Sequence, residues 1–161
     1  MVKIIEEILN ELPKDAKISN TYFEGANIIL YTTSKDFFLD NGDVIRKVVG
    51  KVKKRIELRP DPSLCMEMEK AEKEIKKLSP KDAGVTEILF DPQRSIVVIE
   101  AEKPGSAIGK HGEILREIKN KTFWVPVIKR TPSIKSKIIE NIRSVLYQNN
   151  DYRKKFLNKV G

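Results

Sequence analysis

Apolar residues recur along the chain with two periods, and the switches between them mark out its elements. Residues 2–12 place Ile4, Ile5, Ile8, Leu9 and Leu12 on one helical face, with Lys3, Glu6, Glu7, Asn10 and Glu11 opposite. Pro13 ends that helix. Two strand-like runs follow, 17–23 and 27–32, around the turn Glu24-Gly25-Ala26, and then a short polar-to-apolar segment, 34–39. The pattern next predicts a helix from Gly42 to Lys53 that buries Val44, Ile45, Val48, Val49 and Val52. A third strand, 54–59, is stopped by Pro60 and Pro62.

The same order then returns. Pro13-Lys14-Asp15-Ala16 is repeated letter for letter as Pro80-Lys81-Asp82-Ala83, each time after an amphipathic helix and before a first strand. Phe23 then matches Phe90, Ile28 matches Ile96, Arg46 matches Arg116, and Pro62-Ser63 matches Pro132-Ser133, with the offset widening through turn and loop insertions. Matches kept in order argue for a duplicated unit. In the second copy, strands are expected over 85–90 and 96–100 around Asp91-Pro92-Gln93-Arg94, a helix from Gly112 to Lys121, and a strand from Thr122 to Lys129. Ile134, Ile138, Ile142, Val145 and Leu146 share one face of a further helix over 134–147. Asn149-Asn150-Asp151 breaks it before a short basic helix, 152–160. The fold class is therefore α+β, with units at 1–63 and 67–133 and a helical extension at 134–161.

Between the last two elements of the second unit lies Ala107-Ile108-Gly109-Lys110-His111-Gly112, leading into an amphipathic helix. Glycines three apart at a helix N-terminus leave backbone N–H groups open to an anion, with no side chain to hold it off. Lys110 can neutralise phosphate, and His111 can donate to it. Ile108, Ile114 and Ile118 are candidates for an apolar floor, with Val125 and Val127 on the neighbouring strand. Arg116, Lys119, Lys129 and Arg130 are candidates for a basic wall beside it. For the isoleucines ordinary core packing competes with this role, and for the cations ordinary surface charge. Phe123 and Trp124 suggest base stacking, but a strand aromatic is more often core. In the first unit the loop aligns as Leu39-Asp40-Asn41-Gly42, where a carboxylate repels phosphate, so the second unit is expected to bind and the first to be structural.

Charge strengthens the polyanion reading. The 161 residues carry 31 Lys+Arg against 23 Asp+Glu, a net charge of +8. Cys65 and His111 are the single Cys and single His, which excludes a disulfide framework and a Cys/His zinc site within this sequence. His111 has no Ser, Cys or paired carboxylate at a catalytic spacing, so no enzyme and no cofactor is expected. No apolar run reaches membrane-spanning length, and acids interrupt the N-terminal helix where a signal peptide would be apolar. The expected location is cytoplasmic, with no membrane partner.

Helix-strand-strand-helix-loop-helix-strand, with Ile-Gly-x-x-Gly in the loop, resembles the type II KH RNA-binding domain, whose loop clamps the backbone of about four nucleotides. More closely, Asp40-Asn41-Gly42-Asp43, Arg59-Pro60-Asp61-Pro62-Ser63, Lys103-Pro104-Gly105, Arg130-Thr131-Pro132 and Phe156-Leu157-x-Lys159-Val160-Gly161 resemble the N-terminal region of the archaeal homologue of cleavage and polyadenylation specificity factor. The resemblance implies a tandem KH region preceding a metallo-β-lactamase and β-CASP ribonuclease that cuts RNA 3′ ends and acts in transcription termination at U-rich sequences. The His-x-His-x-Asp-His zinc motif of that nuclease is absent from this sequence, so the resemblance implies a non-catalytic RNA-recognition part, either a fragment of the longer enzyme or a free-standing relative. Its implied partners are U-rich single-stranded RNA and RNA polymerase or other termination machinery. It also implies a first unit without an intact glycine loop, and a glycine where His111 stands. The competing reading is a protein-interaction or dimerisation module docking a transcription or RNA-processing partner.

Overall fold

The computed structural model describes residues 2–41 and 43–132. The predicted helices over 134–147 and 152–160 lie outside them. The chain divides after Leu64 into two compact units with the same order of elements. The first contains α1 (Val2–Glu11), β1 (Ile18–Glu24), β2 (Asn27–Thr32), α2 (Lys35–Leu39), α3 (Val44–Val52) and β3 (Arg55–Pro60). The second contains α4 (Met68–Leu78), β4 (Val85–Asp91), β5 (Ile96–Ala101), α5 (Pro104–Ile108), α6 (Glu113–Thr122) and β6 (Val125–Arg130).

Each unit holds one three-stranded sheet with the strands in chain order. Its first two strands form an antiparallel hairpin, and the third runs parallel to the second. Parallel neighbours cannot be joined by a tight turn, so the chain must cross back over the sheet. The helix pairs α2–α3 and α5–α6 make those crossings.

The repeated tetrapeptide serves the same purpose twice. Pro13 and Pro80 begin 3-10 turns at Lys14–Ala16 and Lys81–Ala83, whose alanines are buried. Each turn leaves through a left-handed residue, Lys17 (φ 47) or Gly84 (φ 63), which swings the chain into the first strand. In the first unit the Thr32 hydroxyl donates to the Ala16 carbonyl and fastens this turn to β2.

One face of each sheet packs under helices. In the first unit Ile8 and Val48 from α1 and α3 meet Ile28 and Leu30. In the second, Ile75 and Ile118 from α4 and α6 meet Phe90, Val97, Ile99 and Trp124. The strand registers correct the sequence alignment at the hairpin. Phe23 pairs with Ile28 as Phe90 pairs with Val97, so Ile28 corresponds to Val97 and not to Ile96. The longer second turn hides this shift, and a one-residue slip carries a side chain to the other face.

A second correction concerns the last strand. Residues Thr122 to Trp124 have strand-like chemistry but do not join the sheet. Thr122 ends α6, its hydroxyl donating to the Ile118 carbonyl at 2.7 Å, and Phe123 turns the chain at φ 57. Trp124 is core. Its ring stands edge-on to Phe90 with centroids 4.9 Å apart, and its Nε1 donates to the Met66 carbonyl at 2.8 Å.

The other face of the first sheet carries a charged cluster. Arg59 is 3% exposed. Its guanidinium donates to both carboxylate oxygens of Glu24 (2.8 and 2.7 Å), to both of Glu57 (3.0 and 3.2 Å) and to the Tyr31 hydroxyl (3.3 Å). Burial alone would lower the Arg59 pKa, but the hydrogen bonds to Glu24, Glu57 and Tyr31 outweigh it and raise the pKa above its ordinary value. The charge is thus kept and satisfied inside the fold.

The two matched phenylalanines differ in burial, with Phe90 0% and Phe23 43% exposed. Phe90→Ala is expected to lower stability by about 4 kcal/mol, through lost transfer energy and the cavity it leaves. Phe23→Ala is expected to cost about 1 kcal/mol, because much of its ring already meets water. Urea titration of the two variants against the parent chain measures the contrast.

Candidate nucleic-acid interface

The loop between α5 and α6 is positioned by the turn that the duplicated tetrapeptide builds. After β5 the Glu102 N–H donates to the Gly84 carbonyl and the Lys103 N–H to the Ala83 carbonyl (3.0 and 2.9 Å), which aims the chain out of the sheet. Pro104 then opens α5 in the first turn, where its missing N–H costs nothing. Ala107 packs α5 against Ala83, Ala101 and Ile128, so the helix end that carries the loop is tied to the sheet.

Three left-handed residues make the loop. Gly109 ends α5 at φ 80, ψ 173, His111 sits at φ 55, ψ 26, and Gly112 enters α6 at φ 73, ψ 22. Their need for positive φ has different causes and consequences. A Cβ on Gly109 would lie 2.8 Å from Ile114 Cγ1 and 3.1 Å from Glu113 Cγ, so this glycine is required by packing as well as by its backbone. A Cβ on Gly112 would meet nothing within 4 Å and would project into open space. Lys110 and His111 are exposed between them. His111 carries the strain of a left-handed residue that has a side chain, which accounts physically for a glycine there in relatives of the resembling family.

The predicted wall and floor assemble only in part. Ile108 and Ile114 are half-buried at the loop, Ile114 packing on both Gly109 and the core. Ile118 is fully buried and belongs to the core alone. Arg116 is exposed on α6. Lys119 is half-buried, and burial lowers its pKa. The acids Glu113 and Glu117 share this helix with them.

On β6, alternation sorts the side chains differently from the sequence expectation. Ile128 packs on the helical side with Ala107, whereas Val125 packs on the opposite face with Leu89, Ile96 and Val98. Val125, Val127 and Lys129 therefore face away from the helices, while Pro126, Ile128 and Arg130 share their side. The strand contributes Arg130 beside α5, not Lys129, and Ile128 in place of the two valines. Ile128 was missed because the strand was started three residues early, which disguised its phase.

The first unit's loop departs further from this geometry than the sequence alignment suggested. Helix α2 runs through Leu39, and Asp40 ends it at φ −135, its N–H donating to the Asp36 carbonyl at 2.9 Å. Leu39 therefore matches Ile108, Asp40 stands where Gly109 does, and the link to α3 is one residue shorter. Asp43 follows at the head of α3, 3.6 Å from Arg46. Two carboxylates thus flank the position a phosphate would take.

Gly109→Ala is expected to cost about 3 kcal/mol of stability, from the contact with Ile114 and a backbone region essentially reserved for glycine. Gly112→Ala is expected to cost about 1 kcal/mol, the left-handed penalty alone. Chemical denaturation of the pair tests this ordering, and equal costs contradict the distinction.

The geometry can be set beside known proteins. A family model described as "Transcription termination factor FttA, KH domain" matches residues 1–65, and one described as "KH domain" matches residues 68–122. A protein named transcription termination factor FttA from Thermococcus kodakarensis is 43% identical over 162 residues, spanning 100% of this chain and 25% of the relative. Proteins of the same name from Methanothermobacter thermautotrophicus and a Lokiarchaeum species are 41% and 33% identical, each over 99% of this chain and 25% of the relative. The chain spans about a quarter of the length of the curated relatives it matches. With a KH model on each repeat, this chain belongs to the KH family as a tandem pair of the kind found in archaeal FttA proteins.

Proposed function

We propose that the chain is a non-catalytic, single-stranded RNA-binding module and that the second unit, residues 67–133, holds the RNA. The observation that supports this most is the succession of left-handed residues at Gly109, His111 and Gly112. They bare the backbone at the head of α6 and leave Lys110 and His111 exposed beside it. In this reading phosphates lie along Gly109 and Gly112, Lys110 and His111 neutralise them or donate to them, and Ile108 and Ile114 support the bases. Arg116, Lys119 and Arg130 supply longer-range attraction. Lys129, on the other face of β6, contributes only through its field.

Residues 1–63 act as a degenerate copy whose Asp40 and Asp43 discourage phosphate at the equivalent loop, and 134–161 is an extension of the second unit. The relatives' name places the RNA in transcription termination. U-rich transcripts, with RNA polymerase or other termination machinery as partner, are the assignment carried by the family resemblance. A cytoplasmic location follows from that role. Among the described residues no helix is long and apolar enough to cross a membrane.

Replacing Lys110 and His111 together by Asp adds repulsion at the loop while keeping residue types that tolerate φ near 55 at position 111. Affinity for a U-rich oligonucleotide is expected to fall about tenfold or more, ~1.4 kcal/mol, with unchanged thermal unfolding. Titration at two salt concentrations is the companion measurement. The parent should lose affinity steeply as salt rises, whereas a salt-independent association would favour the protein-docking reading.

A further inference from the structure

Both units turn the corner between their last helix and last strand with the same backbone and fill it with opposite chemistry. Helix α6 leaves through Phe123 at φ 57 and α3 through Lys53 at φ 60, both left-handed. The next residues in the second unit, Trp124 and Val125, pack inward, Trp124 against Phe90. Because Arg55 pairs with Asn27 as Val125 pairs with Ile96, the first unit holds Lys53, Lys54 and Arg55 in the places of Phe123, Trp124 and Val125. All three cations are exposed, and Phe23, in the register position of Phe90, keeps 43% of its surface in water.

The acids nearest in sequence or register are already engaged. Glu24 and Glu57 are held by Arg59, and Glu11 by Lys51 at 2.9 Å. Among the described residues none of the three corner cations is in a salt bridge. Beside them an open recess of about 280 Å³ is lined by Asn27, Val49, Arg55, Ile56 and Glu57. The corner thus combines an exposed aromatic face, three cations in sequence, and an amide that both donates and accepts hydrogen bonds. Stacking a base while its phosphates are neutralised needs this combination, and a strand with unpaired bases can use it. An acidic peptide would use the cations and leave the ring without a purpose.

We propose that this corner of the first unit is a second contact for single-stranded nucleic acid. Lys53, Lys54 and Arg55 lie on its phosphates, Phe23 is the platform for one base, and Asn27 faces the base edge from the recess. The ligand class rests on the reading of the second unit, but no residue of the Gly109–Gly112 loop takes part. The degenerate copy then binds by the opposite end of its helix α3 from the end where its loop has failed.

The test uses the full chain and a U-rich single strand several times longer than the roughly four nucleotides a KH loop clamps. The variant Lys53→Asn, Lys54→Gln, Arg55→Gln is expected to lose about fivefold in affinity. Its salt dependence should flatten by about 2 in log–log slope, since each single-strand phosphate contact contributes roughly 0.7. Phe23→Leu keeps apolar bulk and removes the π face; it is expected to weaken binding about threefold, within the range of one lost stacking contact, with little change in thermal unfolding. Affinities within twofold of the parent for either variant overturn the proposal. If that occurs while Lys110→Asp, His111→Asp abolishes binding, the loop reading stands without it. If the loop variant binds normally and the corner variants do not, the loop reading falls and the corner is the nucleic-acid site.

Discussion

Parallel pairing of the last two strands is the constraint from which the remaining structure of each unit follows. A hairpin can return in two residues, but a strand laid parallel to its predecessor must be approached from the same end. The chain therefore leaves the sheet after β2 or β5, travels back along it, and re-enters at the starting edge. Two helices accomplish this, and the link between them projects at one end of the sheet where nothing else is needed to complete the core. The loop can thus be rich in glycine, short of side chains and unusual in backbone without loss to the packing below it. Only Gly109, pressed against Ile114, is bound to both purposes.

The same architecture explains how the duplicated units can diverge. Ala16 and Ala83, Ile8 and Ile75, and Val48 and Ile118 fill equivalent interior places, so the framework is kept by small and aliphatic residues on the helical side of the sheet. Chemistry differs at the two ends of the crossing. One unit has glycines at the head of its second helix and aromatics at its tail, and the other has aspartates at the head and cations at the tail. Left-handed corners tolerate this exchange because their side chains point away from the helix they terminate, and Lys53 and Phe123 occupy nearly the same φ.

Much of this was legible in the residues. Periodic apolar faces gave the helices, and the repeated Pro-Lys-Asp-Ala gave both the duplication and the point where each first strand begins. What could not be read depended on backbone conformation and phase. Thr122-Phe123-Trp124 has the composition of a strand, and only the left-handed turn at Phe123 keeps it out of the sheet. Starting β6 at Thr122 left Ile128 unrecognised and assigned Val125 and Val127 to the groove. The one-residue shortening around Asp40 was equally hidden, because Gly42 and Gly112 still align and nothing in the letters marks where α2 stops. That His111 is held at φ 55 is a property of the folded loop, with no counterpart in its composition.

The buried Arg59 cluster has a consequence for heat. Charges taken out of water lose hydration whose free energy becomes less favourable as temperature rises, so the penalty for keeping this guanidinium inside shrinks on warming while its bonds to Glu24, Glu57 and Tyr31 persist. The first unit thereby holds a bracket across all three strands whose relative contribution grows toward high working temperatures, where gains from apolar burial level off.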